Sequence, residues 1–159
     1  ALEEITNQRF KVHDSNEIFS RLSEIKNEKM DYEKDLNLTF ETINFPRLLK
    51  SAAFNAQRKS EVDQNYCFVF SITNDLNKVQ KRYFFEIDEM VIHEIGLYEK
   101  INYKEYSEII IDFRYLFGLL TTLYHWNNAE IGSQFLCRRV PISNFSRKVQ
   151  DYLNFFSIA

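Results

Sequence analysis

The residues best suited to chemistry stand together in Tyr124-His125-Trp126-Asn127-Asn128-Ala129-Glu130-Ile131-Gly132-Ser133. This run holds the only tryptophan, two side-chain amides, an imidazole, a carboxylate and one of three glycines. Polar groups converging beside an apolar wall are what a small-molecule pocket requires. His125, Trp126, Asn127, Asn128 and Glu130 are therefore candidate ligand-contact residues. The same run also reads as a structural corner. There Trp126 fills a hole, the amides cap free carbonyls, and Glu130 pairs with Arg138 or Arg139. A third reading makes Glu130 and His125 an acid–base pair across a helix end, which needs only hydrogen-bond reach.

Other chemistries lack their residues. His13, His93 and His125 are far apart, no HExxH run is present, and a zinc site needs three or four ligands at defined spacing. His93 and Glu94 are neighbours in a predicted strand, so they point to opposite faces and do not share one ion. No metal site is expected. G-x-S-x-G is absent, and neither Cys67 nor Cys137 has an adjacent base. Gly96, Gly118 and Gly132 stand alone, so no glycine-rich phosphate cradle forms and no nucleotide cofactor is implied. No catalytic residues and no cofactor are expected. Both cysteines read as buried, reduced thiols packing as small hydrophobes.

The elements that must position this run follow from changes of hydrophobic period. Residues 1–13 carry only a weak alternation at Phe10 and Val12. Asp14 opens a helix, with Glu17 reaching back and Ile18, Leu22 and Ile25 at helical spacing. Leu36, Leu38, Phe40 and Thr42 alternate with polar residues, which predicts a half-buried strand. Pro46 suits a first helical turn, and Leu48, Leu49, Ala52, Ala53 and Ala56 form a slim apolar stripe that lets a helix lie close to a sheet. Strands are predicted at 65–73, 79–87, 90–98 and 107–111, the first apolar on both faces and hence central. Turn chemistry lies at Asn74-Asp75-Leu76-Asn77 and Asp88-Glu89. The short turns predict an antiparallel meander rather than a β-α-β sheet. Asp112 caps a helix carrying Phe113, Leu116, Phe117, Leu120 and Tyr124, with Asn127 or Asn128 ending it in the left-handed conformation. Glu130–Val140 reads as a last strand in which Gly132 permits close backbone approach. Pro141 and Ser143 prepare a closing helix with Phe145, Val149, Tyr152, Leu153 and Phe156 inward. The expected fold is α+β: a five-stranded, largely antiparallel sheet with about four helices packed on it. One compact body is expected, with a helix–strand–helix segment at 1–60 packed on a core at 61–159.

The chain has 159 residues, enough to bury roughly 70% of its unfolded surface without a metal or disulfide. No apolar run approaches the roughly 20 residues of a membrane span. No secretory signal leads the chain, so a cytoplasmic protein is expected. The chain starts at Ala1 rather than methionine, which predicts a domain of a longer protein. Net charge is −3, which argues against a general nucleic-acid binder. The sign is unevenly spread. Glu86, Asp88, Glu89, Glu94, Glu99, Glu105, Glu108 and Asp112 face Lys100 and Lys104; beyond them Arg114, Arg138, Arg139, Arg147 and Lys148 face Glu130 and Asp151. Such a polarised surface suits docking of a partner domain or of a second copy as a homodimer.

Fifteen phenylalanines supply a second candidate site. Phe68, Phe70, Phe113 and Phe117 could line a cavity for an acyl or sterol-like ligand, although large aromatics more often pack a core. The order of elements over residues 60–159 resembles the sterol-carrier-protein-like fold. Leu116-Phe117-Gly118-Leu119-Leu120, the His125–Ser133 run, Arg138-Arg139-Val140-Pro141 and Leu153-Asn154-Phe155-Phe156 look like the extreme C-terminus of certain large metallo-β-lactamase-fold hydrolases. That resemblance implies a non-catalytic accessory domain that binds an apolar or lipid-like ligand or assists assembly with an N-terminal catalytic domain of the parent chain. The family's HxHxDH metal run is absent, so no metal site carries over. A pure protein–protein interaction module is the alternative.

Overall fold

A computed structural model describes residues 15–25, 28–35, 37–60, 62, 65–74 and 77–159. His13, Asp14, Leu36, Asp75, Leu76 and the alternation at Phe10 and Val12 lie outside the described residues. The chain divides into two compact units, 1–35 and 36–159. The first unit contains helix α1 (Ser15–Ile25) and the short helix α2 (Asp31–Asp35). Along α1 the helical stripe of Ile18, Leu22 and Ile25 is present, and all three, with Phe19, are exposed.

The second unit is α+β. A 3-10 turn (Phe40–Thr42) precedes α3 (Phe45–Lys59), then come β1 (Cys67–Thr73), β2 (Val79–Glu86), β3 (Val91–Ile95) and β4 (Tyr106–Asp112). They are followed by α4 (Phe113–Leu120), α5 (Trp126–Ile131), β5 (Leu136–Val140) and α6 (Arg147–Asn154). The five strands form one sheet in the order β3-β2-β1-β4-β5. β1, β2 and β3 make the expected meander. β1 and β4, however, are parallel, so the sheet is mixed. The wide connection from β3 to β4 carries the chain back across the sheet.

Local chemistry explains most elements. Asn44 accepts the Arg47 N–H at the start of α3, Pro46 fits its first turn, and Arg58 and Lys59 sit at its negative end. Its alanines 52, 53 and 56 are fully buried. The predicted strand at 36–42 does not form. Asn37–Thr39 have no regular structure, and Thr42 donates its N–H back to the Thr39 carbonyl. An alternating stretch without a strand beside it leaves its backbone groups unpaired, so the local turn wins. Phe40 packs instead on Phe45 and Phe113.

Alternation along β1 sorts the sheet into two faces. Phe68, Phe70 and Ile72 share one face with Tyr83 and Phe85 of β2 and Ile109 and Ile111 of β4. Helices cover this face. Tyr152 of α6 stacks on Phe68 and Phe85, Phe156 stacks on Phe70, and the Tyr152 hydroxyl donates to the Ala53 carbonyl. The opposite face carries Cys67, Val69 and Phe84, packed under Ile95, Ile101 and Tyr106. The 96–105 segment crosses over it. At β4 and β5 the same face lies open, with Leu136 and Arg138 exposed and Ile110 and Val140 half-buried. Phe145, predicted to face inward, is exposed, because α6 begins only after the Ser146 cap.

Candidate functional site

The 124–133 corner is a second helix rather than the start of a strand. α4 ends at Leu120, and the left-handed residue is Thr122 (φ 67°), not either asparagine. Tyr124 donates its N–H to the Gly118 carbonyl, and His125 occupies the N-cap position of α5. Trp126 and Ala129, three apart, face inward, whereas Asn127, Asn128 and Glu130 take the outer side. Gly132 ends α5 with φ −79°, so it makes no close approach within a strand.

This periodicity separates the candidate residues. Trp126 is 3% exposed and donates its indole N–H to the Phe156 carbonyl at 2.7 Å. Its ring lies 6.4 Å from Phe70, 6.0 Å from Phe135 and 6.2 Å from Phe156. Phe68 and Phe70 are buried in the same cluster. His125, Asn127, Asn128 and Glu130 are exposed. Phe113 packs elsewhere, 5.7 Å from Phe40, and Phe117 is half-buried. The structure thus brings Trp126, Phe68 and Phe70 together and leaves the polar groups outside. His125 and Glu130, five positions apart, are turned about 140° from each other around the helix axis. Among the described residues no ion pair joins Glu130 to Arg138 or Arg139.

Glu130 does reach the rim of a crevice between β4, β5 and α6. Tyr66, Ser107, Cys137, Arg139, Asn144 and Phe145 line it beside Phe68. The Tyr66 hydroxyl is 2.8 Å from Ser107 Oγ, and Asn144 Nδ2 donates to the Tyr66 oxygen at 3.1 Å. About 20 Å³ is free inside, room for about one water. Sequence reasoning missed this cluster, since Tyr66 and Ser107 meet only through strand pairing across 41 positions. Cys137 is on an exposed edge strand rather than buried, but its thiol faces the crevice. Loss of water raises that thiol's pKa, partly offset by Arg139 and a bond with Ser107. Cys67 is buried as expected, and burial, then the charges of Glu86, Glu89 and Asp88, pushes its thiol up to about 12. Neither is poised as a nucleophile.

The face of the sheet turned away from the helices holds a largely buried polar network. Ser71 donates to Glu108 Oε1 at 2.6 Å, and Arg82 approaches the same oxygen at 3.4 Å. Arg82 Nη1 also donates to the carbonyls of Gly96 (3.1 Å), Leu97 (3.3 Å) and Glu99 (2.9 Å). Glu86 accepts from Asn65 and from the Tyr103 hydroxyl. At the head of α4, Asp112 accepts two bonds from the Arg114 guanidinium and one from its backbone N–H. Several of the charges that appear polarised in sequence are therefore spent internally.

What remains at the surface still differs between the sheet's ends. Asp88, Glu89, Glu94 and Glu99 gather around β3 with Lys81 and Lys100, and Lys81 pairs with Glu94. Arg138 and Arg139 lie on β5 at the other end, with Glu130 at the rim of the adjoining crevice, whereas Lys148 and Asp151 of α6 face Lys59 of α3. A groove of about 490 Å³ lies between α3 and α6, lined by Lys59, Val62, Lys148, Asp151 and Phe155. Among the described residues no three His, Cys, Asp or Glu side chains converge as a metal ion would need, and no helix is long and apolar enough to cross a membrane. No family model, curated protein or solved structure matches the chain.

Proposed function

We propose that the 36–159 unit is a non-catalytic interaction module that works by docking, not by turnover or by enclosing an apolar ligand. One observation carries this reading. The aromatic residues of the helix-covered face fill one another's gaps, while on the opposite face, among the described residues, β5 leaves Leu136 and Arg138 exposed. Phe70 alone has Phe68, Trp126 and Phe156 within 6.4 Å, and the nearest crevice has room for about one water. The resemblance to an accessory domain at the end of a larger hydrolase agrees with such a role, as does the difference in charge between the sheet's two ends.

Two measurements on the whole chain test it. A fluorescent fatty-acid probe should show no saturable uptake; uptake that Phe70→Ala or Trp126→Ala abolishes would restore the ligand-binding reading. Sedimentation should show association at about 0.01 M salt that loosens at about 1 M, as the screening length falls from about 30 to about 3 Å. A chain that is monomeric throughout and that also takes up the probe would overturn the interaction reading.

A further inference from the structure

We propose that β5 receives an extended acidic segment of another protein as a sixth strand of the sheet. The inference rests on the interaction reading and names its partner. β5 is last in the strand order, and no strand lies beyond it among the described residues. A sheet edge presents a row of backbone donors and acceptors, and proteins that bind extended peptides use it as a template. The side chains on this edge state what it would accept. Arg138 is opposite Glu108 and Arg139 opposite Ser107, so the two guanidiniums lie on opposite faces. An incoming strand would meet a cation above and below its own backbone. Acidic side chains alternating with apolar ones complement that arrangement.

Arginines on an edge can also serve merely to keep it unpaired. Pro141, just past the end of β5, fits that role, but its apolar neighbours do not. Leu136 at the start of β5 is 69% exposed, and Ile142 just past its end is 90% exposed. On the same face as Leu136, Ile110 and Val140 are half-buried and flank Arg138 and Glu108. Arg139 is held 4.9 Å over the exposed Phe145 ring, which fixes one cation before any partner arrives. A second copy is the poorer occupant. In-register antiparallel self-pairing sets Arg138 against Arg138, and like charges directly opposite are unfavourable. The β3 edge of a second copy offers Glu94, but Lys81 already pairs with it.

The probe is a short fluorescein-labelled peptide alternating glutamate with valine, titrated against the whole chain and followed by anisotropy. Saturable binding is expected, weakened about tenfold or more in the Arg138→Glu/Arg139→Glu double variant. A twin peptide N-methylated at every residue keeps the charge but has no backbone N–H to donate from either edge, and should not bind. Three results would each overturn the proposal: no saturable binding, equal binding of a lysine–valine twin, or unchanged affinity of the N-methylated twin. Sedimentation of the chain without peptide covers the remaining occupant, since a dimer abolished by the same double variant would put a second copy on β5 instead. If the peptide fails while salt-sensitive association through other surfaces persists, the β5 assignment falls and the interaction reading stands.

Discussion

The guanidinium of Arg82 on β2 reaches the carboxylate of Glu108 on β4 at 3.4 Å, passing over Ser71 of the strand between them. Both side chains are largely removed from water, and the same guanidinium binds three carbonyls of the 96–99 turn. One residue thus ties three strands together and pins a loop whose Tyr98 is 99% exposed.

Removing Arg82 leaves a mostly buried carboxylate without its cation. Arg82→Met should lower stability by about 3–5 kcal/mol in urea unfolding. Adding Glu108→Gln, which keeps an acceptor for Ser71, should recover part of that loss. Amide exchange at Gly96–Glu99 should quicken in the single variant; unchanged protection there would show the loop is held by something else.

Trp126 reports on the closed core. Its emission should be that of a buried indole and should resist acrylamide quenching. Trp126→Ala should cost about 3–5 kcal/mol, and Trp126→Phe about 1–3 because the Phe156 carbonyl loses its donor. Asn127→Ala and Glu130→Gln, on the outer side of α5, should stay within about 0.5 kcal/mol of the parent. Comparable losses at all four would mean that the corner acts as one unit.

Gly118 is required by a ring. A Cβ there would lie 2.3 Å from Tyr124 Cδ2 and 2.5 Å from Cε2, and the Tyr124 ring is stacked 4.8 Å from Tyr115. Gly118→Ala should therefore cost about 1–3 kcal/mol through overpacking. Thermal melting of Gly118→Ala with Tyr124→Ala should show a smaller penalty than the two single losses added together; strict additivity would rule out the clash.

Alkaline pH should unfold the chain through groups that prefer to stay neutral when folded. Burial pushes Cys67 and Tyr83 up to about 12 each, from ordinary values of 9.0 and 10.0. Tyr152 moves in the same direction for the same reason. Between those limits the unfolded chain has lost protons that the folded chain retains, so stability falls as pH rises. The contribution is intact below about pH 9 and is lost toward pH 12, at about 1.4 kcal/mol per pH unit for each group fully within its window. Urea midpoints measured from pH 7 to 11 should be level at first and then decline, and Cys67→Ala should flatten the earliest part of the decline.

Elements with a long, clear period were legible in the sequence. The alanine stripe and proline of α3, the doubly apolar β1, the Asp88-Glu89 turn of the meander, and the inward Val149, Tyr152 and Leu153 of α6 with Phe156 just beyond it all lie in place. The failures have local causes. α5 spans six residues, too short for a period to separate helix from strand, and that choice decides whether Asn127 and Glu130 face Trp126 or turn from it. The Leu38, Phe40, Thr42 alternation is genuine, but it has no strand to pair with. Trp126 as a corner-filling residue was legible from its type alone. The crevice around Tyr66 and Ser107 and the Arg82–Glu108 contact arise from pairing between distant segments, and no local pattern announces such pairing.

The parallel contact between β1 and β4 has a kinetic consequence. Phe68 meets Phe85 by a short hairpin, but it meets Ser107 only after the whole intervening segment has been gathered in. Closing the larger loop loses more chain entropy before any contact repays it. The hairpin half of the sheet should therefore assemble ahead of the β4–β5 half. Phe85→Leu should slow refolding, whereas Ile109→Val should mainly hasten unfolding. On this order of events, the edge offered to a partner is the last part of the sheet to exist and the first to come undone.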